Sequence, residues 1–412
     1  MLGRRPGGPR AVGVVAAFTI CLASARAHAE EPLTRQRVAE LVKVAPATRV
    51  TQSEVGVSGA AVTAAGTLSL ENPVVSGLGG VRFNPDGSRP FNGVATVSWP
   101  VDLGGKRGAR REAAEAEYRA AGAEARSQER RLLVGALLQH ALVLRDERQV
   151  AIAAARHALS ERVYAAAQRR RAAGSAPELD VALAAMQEKR DASAEESASG
   201  ARAADKLGLL TVLGLNDDPG VVGSLVPDGD VPALAVFTKG VEQRAEVRAA
   251  AAALDAAQAT AERERAKRWP TLNVLGQYER DDQANIGLIG FAIPLAVLNA
   301  NRAEVATSAA QVQAARSRMT RSRIDAAGQV RELYARYTAT KAAVDSLAPT
   351  EALATRAVAL ATRGYELGEN DLTSVLLVRR EAVEAESALL EAQHAHAAVK
   401  IELLVNAGSV PQ

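Results

Sequence analysis

The chain has 412 residues, with 50 Lys+Arg against 47 Asp+Glu and a single cysteine, Cys21. That length buries a sizeable core without metal or disulfide staples, and one cysteine excludes an internal disulfide framework. Aromatics are 3% of the chain while alanine supplies about a fifth, a bias of long, closely packed helices that argues against an all-β fold.

The net charge of +3 loses its meaning once it is located. Residues 1–29 hold Arg4, Arg5, Arg10 and Arg26 and no acid, which leaves 46 bases against 47 acids. No nucleic-acid partner is expected. The same segment reads as a secretory signal peptide, with a basic start, a mostly apolar run from Ala11 to Ala25 and an A-x-A site at Ala27-His28-Ala29. The competing reading is an N-terminal membrane anchor, for which the apolar run is short. Phe18-Thr19-Ile20 before Cys21 does not fit a lipoprotein. No later segment has 18 consecutive apolar residues, so a helical inner-membrane protein is excluded.

In chain order, a first repeat is expected over residues 30–213. It comprises a helix, a β-hairpin over about 66–103, a long helix from Lys106 to about Ala172, a tip turn at about 173–181 and a helix from Glu178 to about Val212. In the hairpin, Ala95, Val97, Trp99 and Val101 alternate with Thr96 and Ser98. The run Leu68 to Phe83 is its expected partner across the turn-rich Asn84–Pro90. The long helix would extend ~100 Å at 1.5 Å per residue, so it needs helical neighbours along its length. Residues 214–239 carry Pro219, Pro227 and Pro232 among glycines and read as a linker.

A second repeat is expected over 240–408. A helix from Gly240 to Arg268 leads to a hairpin over about 270–297, where Leu272, Val274, Gly276 and Tyr278 alternate with Thr271, Asn273, Gln277 and Glu279. A helix from Asn301 to Tyr365, a tip turn at about 364–375 and a helix from Leu372 to Val405 follow. Pro349 is expected to break or kink the first of these. Pro100 and Pro294, and Gly174 and Gly368, each lie 194 residues apart, the mark of an internal duplication.

The fold class is therefore mainly α with a membrane β part. Strands of ~9–11 residues suit a tilted bilayer crossing, and six of the 13 aromatics (Phe83, Phe91, Trp99, Trp269, Tyr278 and Phe291) lie on or beside the hairpins. Ordinary half-buried hairpins in a periplasmic protein are the alternative. Four strands cannot close a barrel, and open edges in lipid leave backbone groups unpaired. Three copies would supply twelve, with Thr96, Ser98, Thr271, Asn273, Gln277 and Glu279 toward a water-filled lumen and a helical coiled barrel continuing from it. Trp99, Trp269, Tyr278, Lys106 and Arg107 are candidate interface anchors.

The segment Val97-Ser98-Trp99-Pro100-Val101-Asp102-Leu103-Gly104-Gly105-Lys106-Arg107, followed by Arg110, resembles a signature of the outer membrane efflux protein (TolC-like) family. So do Trp269-Pro270-Thr271-Leu272, Ile293-Pro294-Leu295, Gly174 to Asp180, and Tyr365 to Leu376, most nearly the heavy-metal branch of cobalt–zinc–cadmium type. The resemblance implies a homotrimeric, passive outer-membrane channel of a Gram-negative cell with a periplasmic helical extension. Its partners would be a periplasmic adaptor (membrane fusion protein) and an inner-membrane transporter of the resistance-nodulation-division type. It also implies adaptor docking near Gly174, Leu179, Asp180, Val181, Gly368, Asp371, Leu372 and Val375; capping of the long helices is the simpler role of the two glycines. The aspartates with which relatives constrict their periplasmic aperture fall on Ser374 and Leu377 here, leaving Asp371 nearby. Heavy-metal cations are the implied cargo, with organic toxicants or drugs the alternative; a periplasmic adaptor is the competing identity.

No enzyme constellation emerges. Gly104-Gly105-Lys106 lacks the Ser/Thr and glycine spacing of a phosphate loop. His394 and His396, two apart on one helix, cannot chelate a single ion together. Neither a catalytic residue, a resident metal nor a cofactor is expected.

Overall fold

The computed structural model describes residues 31–69, 71–281, 284–295 and 300–410. The signal segment with Cys21, and residues 296–299 at the end of the second hairpin, lie outside the described residues. The elements run α1 (Arg35–Val44), α2 (Pro46–Ala65), β1 (Val74–Val81), β2 (Phe91–Asp102), α3 (Lys106–Ala172), α4 (Glu178–Leu213), α5 (Leu234–Lys239), a 3₁₀ turn (Val241–Gln243), α6 (Ala245–Ala266), β3 (Thr271–Asp281), β4 (Ala284–Ala292), α7 (Arg302–Leu367) and α8 (Leu372–Asn406). The order helix, hairpin, long helix, helix thus occurs twice.

Two compact units share these elements. Of the described residues, one comprises those up to Pro46, Leu133–Val231 and those from Ala335; the other comprises those within Ala47–Leu132 and Pro232–Tyr334. The 67-residue α3 and the 66-residue α7 each contribute to both. Neither helix is amphipathic in the ordinary globular sense, because different stretches meet different neighbours.

In the first unit, alanines make much of the interior: Ala136, Ala141, Ala153, Ala167, Ala184 and Ala397 are all buried. Small side chains let helix axes approach toward the short end of the usual 8–10 Å. Larger residues, including Leu33, Val38, Leu137, Leu209, Ile401 and Leu403, are buried as well. The 214–231 segment is anchored, not free. Leu33 forms an isolated parallel bridge with Val221, His140 Nε2 donates to Leu33 O at 2.8 Å, and Arg35 reaches the carbonyls of Ser224 and Leu225. Burial holds the His140 imidazole down at about 4, so the neutral ring is the form that carries this bond.

The second unit holds an antiparallel four-stranded sheet in the order β1-β2-β3-β4. The two hairpins, far apart in sequence, join through β2 and β3, with Val97 opposite Gly276.

Three expectations need correction. The first strand begins at Val74, not Leu68. Pro73 follows the Leu68 stretch, and the carbonyls of Ala65, Gly66 and Thr67 are taken by Arg107 and Arg110, which makes this stretch a pinned connection. Pro349 does not break α7. Its ring lies on an exposed face, and one lost backbone bond is small in a helix of this length. Part of the linker is helical, since Phe237 is buried and fixes the short α5, and the next helix starts at Ala245 instead of Gly240.

Candidate functional site

The sheet sorts its side chains by pairing. Residues directly opposite in an antiparallel ladder project to the same face. Thr96 pairs with Gln277, Ser98 with Leu275, Pro100 with Asn273, Asp102 with Thr271, and Val94 with Glu279. Thr96, Ser98, Thr271, Asn273, Gln277 and Glu279 therefore share one face, joined by Ser76 of β1. Gln277 Nε2 reaches Glu279 Oε2 at 3.4 Å on that face.

The opposite face carries Val75, Phe91, Val97, Trp99, Val101, Leu272, Val274, Tyr278, Ile289 and Phe291. Ile289 is 93% exposed and Val75, Phe91, Trp99, Tyr278 and Phe291 are all exposed. A contiguous apolar surface of this kind does not persist in water. The polar face is polar mainly across β2 and β3, because Leu78, Ile286 and Leu288 of the outer strands also project there. Alternation within β2 and β3 had no means of revealing that.

The sheet's base is built from both repeats. Gly104 and Gly105 have φ of +69° and +75°. A Cβ on Gly104 would lie 2.2 Å from Trp269 Cγ, so only glycine lets the indole of one repeat sit on the turn of the other. Lys106 Nζ donates to Thr271 Oγ1 at 2.7 Å, and Arg107 Nη2 donates to Gly66 O at 2.8 Å. Arg110 bonds Asp102 at 2.9 Å and Thr67 O at 2.8 Å. Tyr278 donates its hydroxyl to Asn285 Oδ1 at 2.7 Å, across the β3–β4 hairpin. Trp99 and Trp269 remain exposed.

At the other candidate site the two helical turns come together. Gly174 and Gly368 have φ of +72° and +85°, the left-handed ends of α3 and α7. Between the turns lies a core of Val163, Ala166, Ala167, Ala184, Ala361, Tyr365, Leu372 and Val375. Leu372 and Val375 thus face inward, while Gly174, Leu179, Gly368 and Asp371 are exposed and Asp180 and Val181 half-buried. Asp371 caps α8, accepting from Ser374 N at 3.0 Å, and these hydrogen bonds hold its carboxyl below the usual range.

Arg170 spans the turns. Its guanidinium lies 4.7 Å from the Tyr365 ring centre, Nη1 donates to Tyr365 O at 2.9 Å, and Nη2 is 3.4 Å from Ser175 O. The sequence offered only the run Arg169-Arg170-Arg171, suited to a helix C-terminus. The Arg170–Tyr365 pairing was not legible in it.

The helices also bury charge. Arg379 and Asp191 pair at 2.9 Å. Burial and the neighbouring Asp205 carboxyl push Asp146 up to about 6, against the pull of Arg145. His157 meets Glu195 at 2.7 Å, which raises its pKa. Among the described residues, no group of three His, Cys, Asp or Glu could hold a metal ion, and no helix is long and apolar enough to cross a membrane.

Two helix faces are left open. Leu353, Leu360 and Leu367 of α7 are exposed and seven residues apart, as are Leu179, Met186, Ser193, Gly200 and Leu207 of α4. Residues seven apart lie nearly above one another, two turns along the same face of a helix. Within the chain α4 meets α3 through His157 and α8 through the Asp191–Arg379 pair, α3 meets α8 through Arg145 and Arg156 and α7 through Arg170, and α8 meets α7 through the stacked rings of His396 and Tyr337. Both seams stay exposed outside these contacts.

A sheet that is apolar on one face and polar on the other, joined to duplicated helical hairpins, defines a membrane-channel subunit of the α-and-β kind. The chain belongs to the outer membrane efflux protein family, which matches residues 34–215 and 239–408. It is 28% identical over 297 residues to the cobalt-zinc-cadmium resistance protein CzcC of Cupriavidus metallidurans, covering 71% of each chain. Its fold is that of a membrane protein from Pseudomonas aeruginosa (TM-score 0.77, 18% identity, 99% of this chain and 96% of that one). It is also that of the outer-membrane channel OprN (TM-score 0.73, 19% identity, 91% and 90%). Members of the family are passive outer-membrane channels, not enzymes, and work with an adaptor and an inner-membrane transporter in tripartite pumps.

Proposed function

We propose that three copies of this chain close a twelve-stranded barrel and act as the outer duct of a pump that exports heavy-metal cations. The observation that carries the assembly is the pair of open edges. Among the described residues β1 and β4 each have a strand on one side only, and an open edge in lipid costs several kcal/mol for each unpaired group. Pairing β4 of one copy with β1 of the next removes both edges and is a head-to-tail contact that a ring can close. The helical seams obey the same rule. Counting from the tip turns, Leu360 of α7 stands level with Met186 of α4, and Leu353 with Ser193.

In the closed barrel Thr96, Ser98, Thr271, Asn273, Gln277 and Glu279 line the lumen, and the aromatic face meets lipid, with Trp99, Trp269 and Tyr278 at its borders. Lys106 and Arg107 sit at the strand-to-helix junction as anchors. At the tips, Gly174, Leu179, Gly368 and Asp371 form the adaptor's docking surface with Asp180 and Val181, and Leu372 and Val375 support it from beneath. The inner-membrane partner is a resistance-nodulation-division transporter. Residues 1–29 act as the signal peptide, and 30–213 and 240–408 are two repeats joined by 214–239. The metal cargo rests on the name of the Cupriavidus relative.

Deletion of the gene is expected to lower tolerance to cobalt, zinc or cadmium and to be restored by the intact chain. Unchanged tolerance to all three, with sensitivity to organic toxicants instead, would overturn the cargo while leaving the duct intact.

A further inference from the structure

A groove between α3, α7 and α8 has no part in the duct described above. It encloses about 420 Å³ and is walled by Ala151, Ile152, Ala155, Leu159, Val358 and Val383, with Arg148, Arg156, Arg379 and Glu386 at its polar side. That volume falls within the ~300–1,000 Å³ range of small-molecule pockets, which pair apolar walls with a few directed polar groups.

The two inner guanidiniums are under-satisfied. The Arg379 side chain is 8% exposed, and its Nη2 bonds Asp191 Oδ2 at 2.9 Å and Arg156 O at 3.2 Å. Its Nη1 is buried without a hydrogen-bond partner among the described residues, and so is Arg156 Nε. Glu386 stands 3.8 Å from that Nε, too far for a hydrogen bond, and Arg156 Nη2 reaches Val383 O and Ser387 Oγ only at 3.5 Å. Arg148 lies 3.9 Å from Glu351 and leans outward. Buried donors left unmade carry a cost that natural proteins seldom leave standing. A planar carboxylate matches the fork of a guanidinium, and an apolar body attached to it would cover the walls.

We propose that this groove is a binding site for an amphipathic organic anion. Its carboxylate is held by Arg379 and Arg156, and its hydrocarbon lies along Ile152, Ala155, Leu159 and Val358. Such a ligand bridges α3 to α8. The site lies on the helices, away from the barrel residues Thr96, Ser98, Thr271, Asn273, Gln277 and Glu279 in sequence.

The test uses the purified full chain in lipid nanodiscs, so that no detergent competes, with biphenyl-4-carboxylate as probe and biphenyl-4-carboxamide as its uncharged match. Titration calorimetry is expected to show one carboxylate bound per chain and the carboxamide at least tenfold weaker. Arg156→Met and the groove-filling Ala155→Trp should each weaken the carboxylate at least tenfold. Because Arg379→Met alone strands Asp191, the paired change Arg379→Met with Asp191→Leu replaces it and should abolish the preference for the charged probe. A bound probe also raises the thermal midpoint by mass action. Equal affinity for the two probes, binding unchanged in Arg156→Met and Ala155→Trp, or no saturable binding overturns the site.

Discussion

The sheet and the helical tip solve opposite problems. The core of the tip closes within one chain: Tyr365 is fully buried, Asp371 caps α8, and Arg170 bonds the second turn's Tyr365 and lies against Ser175 of its own. The sheet is incomplete in every direction, with two open edges, one exposed apolar face and a base held by a few long side chains. A core closed by its own helices and a sheet with two open edges and an exposed apolar face respond to different probes. The first is tested by stability, the second by assembly.

The largest effect should come at the sheet's base. Gly104→Val places a Cβ where Trp269 stands and forces a β-branched residue to a φ of +69°. Strain and overpacking each cost ~1–3 kcal/mol. The expected result is loss of the assembled, heat-modifiable species on a gel while α-helical circular dichroism persists. An unchanged assembled band would show that the turn has room.

At the tip, Tyr365→Ala is expected to lower stability by about 3–5 kcal/mol through the cavity it leaves, read as the thermal midpoint of the helical signal. Tyr365→Phe should be neutral within ~0.5 kcal/mol, because the hydroxyl is buried without a hydrogen-bond partner among the described residues. Loss in both variants would mean that the hydroxyl has a role the packing does not explain.

Smaller and opposite slopes with pH belong to the helices alone. Asp146 titrates at about 6 in the folded chain, above its ordinary value, so its contribution is present below the unfolded pKa and lost as pH rises through about 6. His140, lowered to about 4, does the reverse: its contribution is present above the unfolded value and lost as pH falls toward about 4. Asp146→Asn should therefore flatten a decline in helical stability between pH 4 and 6, and His140→Gln a rise over much the same window. Each effect is at most about 3 kcal/mol at 1.36 kcal/mol per unit. Profiles that shift in the same sense would contradict the assignment.

Much of the strand pattern was legible because β2 and β3 alternate and their connectors are rich in turn formers. The shared face of Thr96, Ser98, Thr271, Asn273, Gln277 and Glu279 follows from alternation within each strand, but their meeting on one face depends on a register only the paired strands define. β1 starts at Val74 although Leu68 has the composition of a strand residue. Two arginines more than 35 residues away claim its neighbours' carbonyls, a long-range fact. The local preference of Pro349 to end a helix is outweighed by its exposed position within a helix of 66 residues. At the tips the glycines were visible from spacing. That Leu372 and Val375 turn inward was not, since a helix's buried face is chosen by its neighbours.

Head-to-tail closure of three identical chains predicts a specific cross-link between Met186 and Leu360, level with each other on the two exposed seams, when both are replaced by cysteine in cells that assemble the protein. Oxidation is expected to yield a covalent three-chain ladder from the double variant and monomer from either single variant. A double variant that stays monomeric, or links only within one chain, would rule out three-chain closure through these seams.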